Sequence, residues 1–354
     1  MDSTLRDSLT TSTLRKIGAG ACGTVYGNAN PIVLKLAKHD NWDDNAIGLR
    51  NDYKMHNKIF EAFHTHSVTD IKIPACHYFV GKDRSPSFNE DLKTIADATG
   101  VANQPNTAIA SERITPLPLQ TRQRLIEKHC PKQLQERALE CESNTDCLVR
   151  IYLGAMKGWS AQRFFSLRNF KLYLGKMKEM DLDVNYMATA LGQALAAIHW
   201  GARTDGRDVE FVLGSSRETR KMEKGTAGKL QEVFGSKTEI WLLDFNLVRE
   251  IAVDEAGVET AVDAFMGNDP YCPRPLGETQ EERECWDVFV EKYSEVAGKI
   301  LKGDHTHLPG LFLSGVVEKQ REKKEALAAL RCQFETSGAN GVGLETLGPR
   351  ERCG

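Results

Sequence analysis

From Leu14 to Lys38, apolar and polar positions alternate around glycines, a pattern that predicts two strands joined by a turn through Gly27, Asn28, Ala29 and Asn30. The next stretch, DDNAIGLRNDYKMHNKIFEAFHTH, spaces Ile47, Met55, Ile59, Phe60 and Phe63 as the apolar face of a helix. IKIPACHYFV reads as a strand and GKDRSPSFNEDLKTIADATGVANQPN as a polar surface insertion. TAIASERITPLPLQ reads as a strand entering a connector stiffened by Pro116 and Pro118, a hinge between two halves. Past the connector the period lengthens. TRQRLIEKHCPKQLQERALE is helical, CLVRIYLG is a strand, and VNYMATALGQALAAIHWGA is the strongest helix, ending near His199, Trp200 and Gly201. The loop RTDGRDVEF then runs into the strand FVLG. A charged segment, SSRETRKMEKGTAGKLQEVFGSK, precedes the strand EIWLLDFNLVREI. The last third is helical, with Trp286, Phe289, Tyr293 and Val296 on one face. No internal repeat is visible. The fold class this predicts is α+β. A flexible arm spans 1–13, a small strand-rich unit 14–118, a larger mostly helical unit 119–335 and a flexible tail 336–354.

The totals narrow the class of molecule. A chain of 354 residues with 41% hydrophobic and 27% charged positions has the composition of a globular enzyme, not of a fibrous or disordered protein. The formal net charge of −3 gives no global pull toward nucleic acid, so a polyanionic partner requires a local basic patch. Nine cysteines are scattered without a C-x-x-C pair, which argues against a zinc site. With a polar N-terminal stretch and no long apolar run, the expectation is a cytoplasmic chain with reduced thiols and no membrane partner.

Three motifs carry chemistry. Gly18, Gly20 and Gly23 spell G-x-G-x-x-G ahead of an apolar strand that delivers Lys35, and a helix bearing Asp52 and Glu61 follows. Glycines in such a loop let backbone amides approach phosphates, and a strand lysine beside a helix carboxylate is a protein-kinase arrangement. Taken alone, the glycines are equally well a hairpin turn. Further on, Asp205, Asp208 and Glu210 cluster just before a buried-looking strand, where kinases place H-R-D-x-K-x-x-N. The histidine here lies too far upstream, Arg207 stands where many kinases have lysine, and Glu210 stands where the metal-binding asparagine belongs. An acidic surface turn is the plainer reading of that loop, but solvated acids are not usually stacked just before a buried-looking strand, which weighs against it. The third motif is Leu242-Leu243-Asp244-Phe245-Asn246, with Asn246 in place of the kinase glycine. The expected fold is thus protein-kinase-like and two-lobed, around a cleft enriched in carboxylates. Such a cleft suits a cation, above all a guanidinium, whose planar fork matches a carboxylate.

The stretches RNDYKMHNKIFEAF, SERITPLP, AAIHW, DGRDVEFVLG, WLLDFN and GNDPYCPRP resemble a fungal kinase-like family that includes the arginine-containing cyclodipeptide synthases of secondary metabolism. The resemblance runs from Gly18 to Pro275. It implies that arginine from arginyl-tRNA and a second residue from another aminoacyl-tRNA close into a diketopiperazine. It also implies that D-x-x-D-x-E, here Asp205, Asp208 and Glu210, is the active centre. Aminoacyl esters are already activated, so no cofactor is expected. Gly18, Gly20, Gly23, Lys35 and Asp244 are the candidates for contacts to phosphate or the tRNA end. Ser215 and Ser216 follow the motif but have no visible base, which argues against a covalent relay. Basic residues for tRNA are sought at Arg168, Lys171, Lys176 and Lys178, at Arg217, Arg220, Lys221 and Lys224, and at Lys319, Arg321, Lys323, Lys324 and Arg331. A solvated helix face accounts for each of these groups as well. Two other functions remain open: an ATP-dependent phosphotransferase with Asp205 as base and Asp244 on magnesium, and a pseudokinase that only binds. The second amino acid and the oligomeric state are not written in the sequence.

Overall fold

The computed structural model describes residues 14–20, 22–28, 30–38, 44–81, 88–100, 107–158, 165–215, 234 and 238–336. The chain is α+β, with a strand-rich N-terminal region and a helical C-terminal region. It holds two five-stranded sheets. The first has the order β1-β2-β3-β6-β5, all antiparallel: β1 Arg15–Ala19, β2 Gly23–Gly27, β3 Ile32–Ala37, β5 Cys76–Val80 and β6 Ala108–Glu112. The glycine stretch therefore contains three strands where two were expected. The break falls at the glycines themselves, where the Gly20 N–H donates to the Gly23 carbonyl at 2.9 Å.

Both faces of the first sheet are covered, as the alternation in β3 requires. Ile32, Leu34 and Leu36 pack with Leu14, Val80, Ile95, Ala98, Ala108 and Ala110 under helix α2, Phe88–Thr99. The region read as a polar insertion thus contributes to a core. Its Asp91 is fully buried and accepts from the Tyr78 hydroxyl at 2.7 Å. The opposite face, with Ala37 and Lys35, meets helix α1, Asp44–Thr65. Met55, Ile59 and Phe63 of α1 are buried as the helical period predicts, and Leu49, not assigned to that face, is buried with them. Phe60, assigned to the same face, is exposed, because it falls outside the buried stripe, which runs through Asp52, Met55, His56, Ile59, Ala62 and Phe63.

The second sheet has the order β4-β10-β9-β7-β8: β4 Ile71–Lys72, β7 Val149–Tyr152, β8 Phe170–Tyr173, β9 Glu210–Ser215 and β10 Thr238–Leu243. IKIPACHYFV is consequently two strands in two different sheets. Pro74 interrupts the run, β4 pairs parallel with β10, and β5 joins the first sheet. The connector through Pro116 and Pro118 is pinned to this sheet by a bridge between Thr115 and Ser215. FKLY, read within a basic helical segment, is the edge strand β8, parallel to β7.

The remaining helices are α3 Leu119–His129, α4 Gln135–Glu140, α5 Leu174–Glu179, α6 Val184–Ala196, α7 Glu255–Gly267, α8 Gln280–Ile300 and α9 Leu308–Thr336. Helix α6 ends in a single π turn, Ala197–Gly201. Helices α6 and α8 pack so closely that a Cβ on Gly192 would stand 2.6 Å from the Phe289 carbonyl oxygen. Cys285, Phe289, Tyr293, Val296 and Ala297 fill that interface, and Trp286 packs at its margin. Among the described residues no helix is long and apolar enough to cross a membrane.

Strand alternation decides where chemistry can sit. Val149, Ile151, Leu172, Phe211, Leu213, Ile240 and Leu242 point into the main core. Their neighbours Arg150, Tyr152, Lys171, Glu210 and Leu243 take the opposite face, although Tyr152 is itself buried and joins the main core.

Candidate functional site

Lys35 lies at the junction of the two sheets. Its Nζ donates to Asp52 Oδ2 at 2.6 Å and to Asp244 Oδ1 at 2.9 Å. Burial alone would lower the ammonium pKa, but Asp244 and Asp52 outweigh it and hold Lys35 well above the ordinary lysine value. The helix acid is thus Asp52, while Glu61 is exposed. Helix α1 also grips the segment after β10. The Phe245 N–H donates to Asp52 Oδ1 at 3.2 Å, and Asn51 Nδ2 donates to the carbonyls of Asn246 and Val248 at 3.0 and 2.8 Å. These contacts hold Asp244 in the left-handed region at φ +66. The glycine loop covers the pair, since a Cβ on Gly20 would stand 4.0 Å from Asp244 Oδ2. Gly23 admits no side chain, because a Cβ there would meet the Leu36 carbonyl oxygen at 2.8 Å. Gly18 lies against Val25, farther along the hairpin.

The three acids of the loop after α6 have separate fates. Asp205 turns inward and is 1% exposed. Its Oδ1 accepts from the backbone N–H groups of Arg207 and Arg249 at 3.0 and 2.9 Å, and its own N–H donates to the Arg249 carbonyl at 2.9 Å. It braces the loop against the segment that follows β10. Asp205 Oδ2 and His199 Nε2 make no hydrogen bond, although Arg207 Nε stands 3.5 Å from Asp205 Oδ2, and both residues line one small cavity. Burial holds His199 down to about 3, so this histidine is neutral at working pH.

Asp208 is exposed, with φ +62. Its N–H donates to Asn268 Oδ1 at 2.7 Å, and Asn268 Nδ2 donates to the Gly206 carbonyl at 2.9 Å, bonds that offset the cost of the left-handed backbone at Asp208. Arg274 anchors Asn268 in turn by donating to its carbonyl at 2.9 Å.

Glu210 opens β9 and forms an ion pair with Arg150, whose Nη2 stands 2.6 Å from Glu210 Oε1. Burial raises its carboxyl to about 7; Arg150 opposes that, Asp244 and Asp208 add to it, and Lys35 opposes it. Asp208, Glu210, Asp244 and Lys35 therefore act on one another across the junction. Arg150 Nη1 stands 4.0 Å from Asp269 Oδ2, which also accepts from the Tyr152 hydroxyl.

Of the eight residues marked from sequence, the structure brings Lys35, Asp244, Asp208, Glu210 and Gly20 together. It sets Asp205 behind them as support and leaves Gly18 and Gly23 to shape the hairpin. Ser215, at the far end of β9 from Glu210, donates to the Pro116 carbonyl. Ser216 and the basic group at 217–224 lie outside the described residues. Sequence reasoning missed Arg150, Tyr152, Asn268, Asp269 and Tyr271. The only signal for them was polar residues at alternate positions of an otherwise apolar strand, and the stretch GNDPYCPRP.

Residues 240–305 match a family, DUF3669, described as zinc finger protein. A comparison with curated proteins finds no match. The matched stretch runs from within β10 through Asp244 and Asn268 to just past the end of α8. Its Cys272 and Cys285 are both buried, and among the described residues no group of three or more His, Cys, Asp or Glu side chains is placed to hold a metal.

Proposed function

We propose that the chain has a protein-kinase-like two-lobed fold and acts as a tRNA-dependent cyclodipeptide synthase. It would condense arginine from arginyl-tRNA with a residue from a second aminoacyl-tRNA into a cyclo(Arg-Xaa) diketopiperazine, in the cytoplasm. The kinase comparison rests on the bond from Lys35 to Asp52 on the helix and on the placement of Asp244 under the glycine loop.

One observation carries the activity: Glu210 is paired with Arg150 in a corner where burial, with Asp244 and Asp208 nearby, raises its carboxyl to about 7. Peptide bond formation from an aminoacyl ester needs a neutral amine and no ATP. A free α-amino group titrates at about 7.7–8.0, so a carboxylate near 7 is matched to accept its proton. The acids around Glu210 suit the remaining positive charge of the substrate, the guanidinium of an arginyl group. Purified protein supplied with pre-charged arginyl-tRNA and a second charged tRNA should release an arginine-containing cyclic dipeptide without ATP, identified by mass. Absence of product from charged tRNAs counts against this reading.

The grip of Lys35 on Asp52 and Asp244 favours one alternative, an ATP-dependent phosphotransferase. That reading predicts an absolute requirement for ATP and magnesium in the same assay.

A further inference from the structure

Two buried donors beside Glu210 have no partner. The Nε–H of Arg150 and the hydroxyl of Tyr271 are both shielded from solvent and make no hydrogen bond. Buried polar groups are nearly always satisfied, so each such group asks what it is there to meet. Both belong to the same corner. Arg150 Nη2 is fixed on Glu210 Oε1 at 2.6 Å, and its Nη1 faces Asp269 at 4.0 Å. Tyr271 is locked to β7, the strand that bears Arg150. Its carbonyl accepts from the Leu153 N–H at 3.1 Å, and its ring meets Tyr152 edge-on at 5.0 Å between centroids. Burial, then the nearby Glu210 charge, raises the Tyr271 phenol well above its ordinary value, so its hydroxyl keeps its proton.

We propose that Arg150 and Tyr271 donate hydrogen bonds to the acyl oxygen of the ester substrate while Glu210 handles the proton of the attacking amine. This rests on the acyl-transfer reading above. The amine nitrogen bonds to the ester carbon, the carbonyl electron pair moves onto oxygen, and Arg150 Nε–H and Tyr271 O–H meet the developing charge. Glu210 takes the proton released from nitrogen. When the carbonyl re-forms, the bond to the ribose oxygen breaks and that oxygen leaves with the proton from Glu210. Ester and amine thus become amide and hydroxyl, with no oxidant or reductant. Donors rigidly placed where charge develops act on the rate step and not on ground-state binding.

The test measures kcat and KM with pre-charged tRNAs for wild type, Tyr271→Phe and Arg150→Lys, together with thermal midpoints. Tyr271→Phe removes only the hydroxyl. It should lower kcat about 100-fold, the cost of one such donor, with KM and thermal midpoint unchanged. Arg150→Lys keeps the charge next to Glu210 but removes the Nε donor, and should lose kcat similarly. A Tyr271→Phe variant with wild-type kcat overturns the proposal, because the hydroxyl then serves only the internal cavity that Tyr271 also lines. A rise in KM at constant kcat overturns it too, since that marks a binding contact. If wild type itself forms no product, the acyl-transfer reading fails and takes this assignment with it. If wild type is active and Tyr271→Phe matches it, the assignment alone fails.

Discussion

At the scale of single residues, the acids of the D-x-x-D-x-E motif separate by burial and partner. Asp205 has two backbone N–H groups on one oxygen and is almost fully buried. Charge-assisted bonds of this kind contribute about 1.5–3 kcal/mol each, and their loss leaves buried donors unpaired. Asp205→Ala is therefore expected to lower unfolding stability by roughly 2–4 kcal/mol in a denaturant titration. Asp208→Ala, at an exposed side chain, should stay within about 1 kcal/mol of wild type. Glu210 behaves differently again. Its folded value near 7 stands above the ordinary 4.5, so the folded chain retains a proton that the unfolded chain has released. The stabilisation from this group is fully present below pH 4.5 and is lost as pH rises through 7. Glu210→Gln should flatten the fall in thermal midpoint across that window. On the proposed mechanism, wild-type kcat/KM should rise with pH through a midpoint near 7, the value at which the carboxylate becomes available. A variant whose stability still falls as steeply as wild type between pH 5 and 7 would show that another group titrates there.

At the scale of elements, helix α1 is the part that aims the site. Asp52 and Asn51, adjacent in sequence, hold Lys35 and the backbone after β10 by bonds to two different sheets. Asn51→Ala removes two hydrogen bonds to carbonyls and should cost about 1–2 kcal/mol. On the proposed reading it should also reduce turnover, because Asp244 then loses the frame that keeps its left-handed backbone in place. An unchanged denaturant midpoint would remove α1 from that role. The elements also show what a sequence can and cannot display. Lys35, Asp244 and the faces of α6 and α8 were legible because strand and helix periods are local. Pro74 hid the division of one apolar run between two sheets, since nothing local says which strand each half will join. Helix α2 passed for loop because its inward face is short and interrupted by the buried Asp91, whose partner Tyr78 lies on another element. Arg150 and Tyr271 were invisible as site residues for the same reason: their meaning depends on contact with Glu210, a tertiary fact.

At the scale of the whole molecule, the question is where an acidic chain can receive a polyanion. The basic group on α9 is engaged locally, with Lys319 on Asp263, Arg321 on Glu318 and Lys324 on the Leu276 carbonyl. The group around β8 is placed better. Lys171 is the register partner of Arg150 on the parallel strand, so it shares the face that carries Glu210, and its Nζ lies 5.5 Å from the centre of the Tyr152 ring. On the proposed reading, the acceptor end of a charged tRNA reaches the site across this edge, with Lys171 on a phosphate. Lys171→Gln should then raise KM for charged tRNA with kcat unchanged, and should make the log–log dependence of binding on salt shallower by about 0.7, one single-strand phosphate contact. Lys319→Gln, at a lysine paired with Asp263, should leave both values as they are. Equal effects from the two substitutions would point to a diffuse electrostatic attraction instead of a docking edge. No effect from Lys171→Gln would place the tRNA path elsewhere, because among the described residues β8 is the edge of the second sheet that continues the face of the acidic site beyond Arg150.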